Sequence, residues 1–172
     1  MRRLNEALAL LPDSLGFKIF DAYRPLSLQQ FFFDRECARV RAVNPDLTDE
    51  EIRKIVFVSV YPPNTNPQAP PPHSTGGALD LSLMDRNGIE LDMGCRYCDF
   101  GDRMYTNSEA ITPEQRQNRL ILLNAMVSAG FANFPGEWWH FMYGEREWAA
   151  YMSMICGKPV NSRYGRTKTT MR

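Results

Sequence analysis

Apolar periodicity and helix-start signals together predict four helices in this chain of 172 residues. The predicted helices cover residues 2–12, 26–43, 48–60 and 113–129. Thr48 stands before the third helix and Glu51 follows three residues later, which is the spacing of a capping box. The fourth helix has Thr112 at its cap position, Pro113 at its first position and Gly130 just past its end.

Alternation of apolar and polar residues predicts strands between these helices. The predicted strands cover residues 17–23, 78–83, 89–94 and 131–144. In the second of them, Asp80 points away from the face that carries the leucines. The third follows a turn at Gly88 as the return strand of a hairpin, and the fourth is centred on Trp139. Because strands and helices do not alternate regularly, we expect a single α+β domain with a mainly antiparallel sheet flanked by helices.

Composition limits the class of protein. The 20 Lys and Arg residues balance 20 Asp and Glu, so the chain lacks the basic excess of a nucleic-acid binder. The longest apolar run, IVFVSVY, is too short to cross a bilayer. The first helix contains Asn5 and Glu6, which a signal peptide would replace with apolar residues. We expect no nucleic-acid or membrane partner, and a cytoplasmic location, or a periplasmic one if an export signal has been lost from the N-terminus.

Two loops and a tail complete the organisation. PPNTNPQAPPP (62–72) holds half of the prolines and can be a linker or an ordered loop that delivers His73. The short flanking segments favour the ordered loop. The loop 94–111 is long enough to be functional. We expect one domain over residues 1–160 and a disordered basic tail over 161–172.

The four cysteines leave several interpretations open. Cys95 and Cys98 form a CxxC pair, whereas Cys37 and Cys156 are isolated. A structural zinc site needs a second pair, and a redox CxxC normally opens a helix after a strand. Plain thiols, a disulfide in an oxidising compartment, and a metal or redox role are the three alternatives.

The two histidines of the chain lie in HSTGGALD and GEWWHF. His73 precedes Asp80 by seven residues, and His140 follows Glu137 by three. A lone histidine is usually a hydrogen-bonded residue without special chemistry. Two imidazoles, one carboxylate and an open fourth position nevertheless suit a catalytic zinc ion, and a separate glutamate can take a proton from metal-bound water. The pattern suggests a zinc site at the sheet, with an ordinary surface acid as the alternative for Glu137.

Strand geometry and one arginine qualify this hypothesis. Residues three apart on a flat strand face opposite sides, so Glu137 and His140 can share a site only if the chain bends. Pro135 and Gly136 provide a place for the bend. Arg24, in FDAYRP, offers a rigid donor fork for a carboxylate or a developing oxyanion. The alternative for Arg24 is a surface ion pair with Asp21.

In combination, YRP, HSTGGALD and EWWHF resemble the zinc D-alanyl-D-alanine dipeptidases, the group associated with vancomycin resistance. That group belongs to a wider set of metallopeptidases that includes D,D-carboxypeptidases and the hedgehog-like zinc fold. The resemblance covers residues 5–150, and this chain looks short at its N-terminus relative to the family. Carboxypeptidase relatives typically carry a proline after the glutamate. Trp138 at that place therefore favours the dipeptidase branch.

The resemblance implies a role for each candidate residue. It makes His73, Asp80 and His140 the ligands of one zinc ion, and Glu137 the general base. It makes Arg24 the group that stabilises the oxyanion. By the same resemblance, Asp99 meets the free ammonium of a small dipeptide substrate, for which the alternative is a turn cap. Rival functions are a D,D-carboxypeptidase or peptidoglycan peptidase that acts on longer stems, and a zinc-stabilised binding module without turnover.

Overall fold

The structure is a computed structural model that describes residues 1–58 and 60–166. Within these residues the chain forms five helices and four strands in an α+β arrangement. The helices are α1 (Arg2–Leu8), α2 (Leu26–Val43), α3 (Asp49–Phe57), α4 (Pro113–Ser128) and α5 (Arg146–Cys156). The strands are β1 (Leu15–Asp21), β2 (Ala78–Asp85), β3 (Ala132–Asn133) and β4 (His140–Met142).

The strands form one sheet in the order β1-β2-β4-β3, and every neighbouring pair is antiparallel. This confirms the α+β expectation. β2 lies between β1 and β4, so residues of both neighbours come into register with it. Asp80 of β2 is the Cα partner of His140 in β4. A bulge in β1 brings Asp21 opposite the same Asp80. The sheet thus gathers charged side chains at one place near its middle.

The main core lies between the sheet and the helices α1 and α4. Leu81 and Leu83 of β2 are fully buried there and pack with Leu122 and Met126 of α4. Ala7 of α1 belongs to the same cluster. The leucine face of β2 is therefore the core face, as the alternation predicted. Asp80 projects to the other side of the sheet.

A second apolar cluster joins α2 to α3. It consists of Phe33, Val40, Ile52 and Val56, each at most 5% exposed. The aromatic stripe of α2 therefore contributes to a core, as its helical spacing indicated. Its neighbour Phe31 points outward and is 57% exposed.

The signals at the helix ends are confirmed. α2 has the predicted bounds, and Thr48 with Glu51 forms a complete capping box at the start of α3. Thr112 and Gln115 form a second box at the start of α4. The first helix is shorter than predicted and ends at Leu8, before the Leu11-Pro12 step that disfavours helical backbone.

The predicted strand over residues 89–94 is wrong. Only a single bridge joins Met84 to Glu90 in this segment. The Asp92 side chain accepts a hydrogen bond from the backbone N–H of Gly94, which has φ +94°. This local bond turns the chain away from the sheet, and Asx turns of this kind compete with strand pairing.

The predicted strand over 131–144 is split into β3 and β4. A turn at Pro135 and Gly136 separates them, and the backbone N–H of Phe134 donates to the carbonyl of His140 across it. The predicted bend is therefore present at the predicted place. Trp139 lies just before β4 and does not form the centre of a longer strand.

Helix α5 was not predicted. Glu145 caps it by accepting hydrogen bonds from the backbone N–H groups of Glu147 and Trp148. Glutamate is not among the residues that favour this cap position, so the sequence carries a weak start signal.

The predicted disordered tail covers residues 161–172, of which 167–172 lie outside the described residues. Within the described part of this segment, the backbone N–H groups of residues 163 and 164 both donate to the carbonyl of Gly144. The Arg163 guanidinium also lies over the rings of Tyr143 and Trp148. Among the helices of the described residues, none combines the length and the apolar character that a bilayer crossing demands.

Candidate active site

Three buried side chains converge on the polar face of the sheet. Asp80 Oδ1 lies 2.9 Å from His140 Nδ1 and 3.3 Å from His73 Nε2. The two imidazole nitrogens are 3.2 Å apart. Three potential ligand atoms thus lie within 4.8 Å of one another. Both of the histidines singled out in the sequence and the expected carboxylate come together, and the set of two nitrogens and one oxygen fits a zinc ion.

His73 is presented by a short 3₁₀ turn, Pro72–Thr75, at the end of the proline-rich loop. Its Nδ1 lies 2.9 Å from the carbonyl oxygen of Ala22. A carbonyl can only accept, so Nδ1 donates its proton to it, and Nε2 is the ring nitrogen that faces Asp80. Such a bond orients a metal-binding imidazole. The proline-rich segment is therefore an ordered loop in this fold.

The electrostatics of the cluster favour a positive charge at its centre. Burial opposes the ionisation of Asp80, but the charges and hydrogen bonds of His73 and His140 outweigh it and hold the pKa of Asp80 well below its usual range. Burial also opposes the charging of His140, and Asp80 outweighs it, so the pKa of His140 rises to about 9. A metal cation would balance the negative charge of Asp80 in place of that proton.

Glu137 lies in the turn between β3 and β4, where the bend lets it share the site with His140. The His140 N–H donates to the Glu137 carbonyl, and the Glu137 N–H donates to the Phe134 carbonyl. The side chain of Glu137 lines the same cavity as the cluster. Burial raises the pKa of Glu137 to about 7, a value that suits a group that accepts and returns a proton.

Arg24 is held next to the cluster. Its Nε donates to Asp21 Oδ2 at 2.6 Å, and its Nη1 donates to the side-chain oxygen of Gln29 at 3.0 Å. Its Nη2 lies 3.6 Å from Asp80 Oδ2. The pair with Asp21 is thus present, yet Arg24 also lines the cavity, so the two interpretations of this residue are compatible.

Tyr97 is part of the site and was not predicted. Its hydroxyl donates to Asp80 Oδ2 at 3.1 Å, opposite the oxygen that faces the histidines. The ring stacks on Phe20, with centroids 4.5 Å apart, and meets the edge of Trp139. Burial and the charge of Asp80 raise the pKa of Tyr97, so the hydroxyl keeps its proton and remains a donor. No spacing rule links residue 97 to residue 80, so this contact has no signal in the sequence.

The loop 94–111 is fastened to α4 by one buried arginine. Arg119 is 4% exposed and donates to the carbonyls of Met93, Arg103 and Tyr105 at 2.6–2.7 Å. Its guanidinium also lies over the ring of Trp138. Because these acceptors flank both ends of the segment 94–102, the arginine fixes the wall that carries Tyr97.

The same wall contains Cys98 and Asp99, which both line the cavity. Asp99 is exposed, and its backbone N–H donates to the backbone carbonyl of Arg96. Cys98 has φ +60°, and burial raises the pKa of its thiol to about 11. Cys95 accepts a hydrogen bond from the Trp138 indole. All four cysteines are free, so the disulfide alternative is not found. The candidate metal cluster of His73, Asp80 and His140 contains no cysteine.

These side chains open into one cavity of about 1100 Å³. Its walls are the metal cluster, the loop with Tyr97, one face of α2, the end of α3 and part of α5. Concave pockets of about 300–1000 Å³ are typical of small-molecule sites, so this one is large.

Comparison with known proteins identifies the chain's relatives. A family model described as D-ala-D-ala dipeptidase matches residues 3–159. The chain belongs to the D-ala-D-ala dipeptidase family. A D-alanyl-D-alanine dipeptidase of Synechocystis is 39% identical over 170 residues, which covers 87% of this chain and 69% of that protein. One from Escherichia coli is 39% identical over 129 residues, which covers 75% of this chain and 55% of that protein.

Solved structures show the fold of this family member. A vancomycin resistance D,D-pentapeptidase, VanY, in complex with Zn(II) matches with a TM-score of 0.50 at 19% identity, over 91% of this chain and 74% of that one. VanYB in complex with D-alanine-D-alanine matches with a TM-score of 0.51 at 18% identity, over 91% of this chain and 72% of that one. The expected family and fold class are confirmed.

Proposed function

We propose that this chain is a zinc-dependent dipeptidase that hydrolyses D-alanyl-D-alanine to D-alanine. The observation that carries the proposal is the buried cluster of His73, Asp80 and His140, which shares one cavity with Glu137. Membership of the D-ala-D-ala dipeptidase family supports the substrate. A place in peptidoglycan turnover or in vancomycin resistance belongs to the same proposal.

One zinc ion per chain would be held by the ring nitrogens of His73 and His140 and by a carboxylate oxygen of Asp80. When bound, such an ion polarises a carbonyl and lowers the pKa of water to about 7. The Ala22 carbonyl keeps the His73 ring in the tautomer that ligation needs.

The remaining steps fall to the chain's own side chains. Glu137 accepts the proton of the attacking water and then donates it to the leaving amine, which its raised pKa allows. Arg24, fixed by Asp21 and Gln29, stabilises the negative charge that develops on the scissile carbonyl oxygen. Asp99 faces the free ammonium of the dipeptide and selects against acylated amines.

A D,D-carboxypeptidase that acts on longer stems is the second candidate, and the cavity favours it. The cavity follows α2 from Gln29 to Arg39, ten residues or about 15 Å of helix. An extended dipeptide spans only about 7 Å. The Trp138 position supports the dipeptidase, whereas the cavity length leaves room for a longer peptide.

Steady-state hydrolysis by the zinc-loaded protein tests both candidates. We expect a kcat/KM for D-alanyl-D-alanine far above that for a pentapeptide ending in D-alanyl-D-alanine. The reverse order would establish the carboxypeptidase. A protein that binds zinc and hydrolyses neither substrate would establish the binding module.

A further inference from the structure

One face of α2 forms a wall of the cavity. This face bears charged side chains at some distance from the metal cluster. Gln29, Phe32, Arg35 and Arg39 line the cavity, and their spacing of three to four residues places them on one side of the helix. Gln29 contacts Arg24 at the cluster end. The residues beyond it line the part of the cavity that lies farther along α2 from the cluster.

The three arginines that line the cavity differ in whether a carboxylate pairs with them. Arg24 is paired with Asp21, and the Arg39 guanidinium bonds to the Glu36 carboxylate at 2.7–3.0 Å. For Arg35 the contact found among the described residues is with the Phe32 ring, whose centroid lies 5.2 Å from its guanidinium carbon. No acidic side chain in the described part of the chain forms an ion pair with Arg35. Arg35 thus offers the cavity a positive charge that no carboxylate of these residues neutralises.

We propose that Arg35 binds the C-terminal carboxylate of the substrate and so selects peptides with a free C-terminus. The inference rests on the proposed function, because a D-alanyl-D-alanine substrate carries such a carboxylate one residue beyond the scissile bond. An arginine fork matches a carboxylate and can bind it through two parallel hydrogen bonds. Stacking on Phe32 restrains the long side chain before the substrate arrives.

The distances between the two arginines agree with this assignment. The guanidinium carbon of Arg24 also lies 5.2 Å from the Phe32 centroid, so the two guanidinium carbons are at most twice 5.2 Å apart. One residue spans about 3.8 Å between Cα atoms, and a charge-assisted hydrogen bond adds about 2.8 Å at each end. A single amino acid can therefore place its reacting carbonyl at Arg24 and its carboxylate at Arg35.

The test compares D-alanyl-D-alanine with its C-terminal amide, which keeps the scissile bond and removes the negative charge. We expect the wild-type protein to prefer the acid. Arg35→Ala should lower kcat/KM for the acid by about 10- to 100-fold, through KM, and leave the amide unchanged. Arg35→Lys should keep part of the preference. Arg39→Ala, one turn further along the same wall, should have a smaller effect because Glu36 neutralises Arg39.

A binding measurement keeps this test independent of turnover. Calorimetric Kd values for acid and amide are measured on zinc-loaded Glu137→Gln protein, with and without Arg35→Ala. A preference for the acid that Arg35→Ala removes supports the assignment, even if the wild-type protein proves to hydrolyse neither compound. An acid preference that survives Arg35→Ala, or that Arg39→Ala removes instead, overturns it. Equal binding of acid and amide by the protein with Arg35 intact overturns it as well.

Discussion

The hydroxyl of Tyr97 should contribute to metal affinity, although Tyr97 is not one of the three candidate ligands. It donates to Asp80 Oδ2 and so leaves Oδ1 directed at the two imidazoles. Tyr97→Phe removes this one hydrogen bond and keeps the ring that stacks on Phe20 and meets Trp139. The change therefore separates the bond to Asp80 from the packing of the loop.

The expected magnitude follows from the contact. A hydrogen bond to a charged acceptor contributes about 1.5–3 kcal/mol, and Asp80 is 2% exposed, so water cannot readily replace the donor. The Arg24 Nη2 atom lies 3.6 Å from the same oxygen, which is too far for a hydrogen bond. We expect the zinc Kd to rise about 10- to 100-fold, the range found when partners of metal ligands are removed.

The assay is a competition between the protein and a chromogenic chelator for zinc. Tyr105→Phe is the matched control, because Tyr105 belongs to the same loop and is 47% exposed. The control should bind zinc like the wild type. If Tyr97→Phe also keeps wild-type zinc affinity, then Asp80 is oriented by the sheet alone and the reasoning fails.

Four further predictions concern the catalytic machinery. Glu137→Gln should retain zinc by metal analysis and lose about 100- to 10,000-fold in kcat, because an amide cannot accept the proton; near-normal kcat would remove Glu137 from the mechanism. Arg24→Ala should lower kcat/KM by about 100- to 1000-fold, and an unchanged value would make Arg24 purely structural. Asp99→Ala should reduce hydrolysis of D-alanyl-D-alanine more than of its N-acetyl form, and equal losses would return Asp99 to a turn cap. Chelation should lower the Tm of wild-type protein, because zinc binds the folded state, and should not lower that of His73→Ala; equal shifts would argue for metal bound elsewhere.

The parts of the site that the sequence predicted are those with strong local signals. Both histidines lie in motifs with a nearby acid, and Pro135 with Gly136 marks the bend that brings Glu137 to His140. The caps at Thr48 and Thr112 follow from side chains that bond to backbone three residues away. Such signals depend on neighbours in the chain, so a single sequence contains them.

The parts that the sequence did not predict depend on distant contacts. Tyr97 reaches Asp80 from a loop that Arg119 fastens to α4. The failed strand at 89–94 had acceptable alternation, but Asp92 bonds to Gly94 and Gln115 and leaves the sheet. Helix α5 begins at a glutamate cap, which propensity alone does not favour. In each case tertiary context outweighs a weak local preference.

The anchoring by Arg119 has a consequence for engineering new specificities. This arginine bonds to the backbone carbonyls of Met93, Arg103 and Tyr105, and a carbonyl is present whatever side chain the residue carries. These anchors of the loop are thus independent of the side chains at the three anchored positions. A library that randomises positions 99 and 100, where two side chains face the cavity, should therefore yield a high fraction of folded members. The same library built on a variant without Arg119 should contain few folded members. Arg119 therefore lets the side chains of the pocket wall change without loss of the fold.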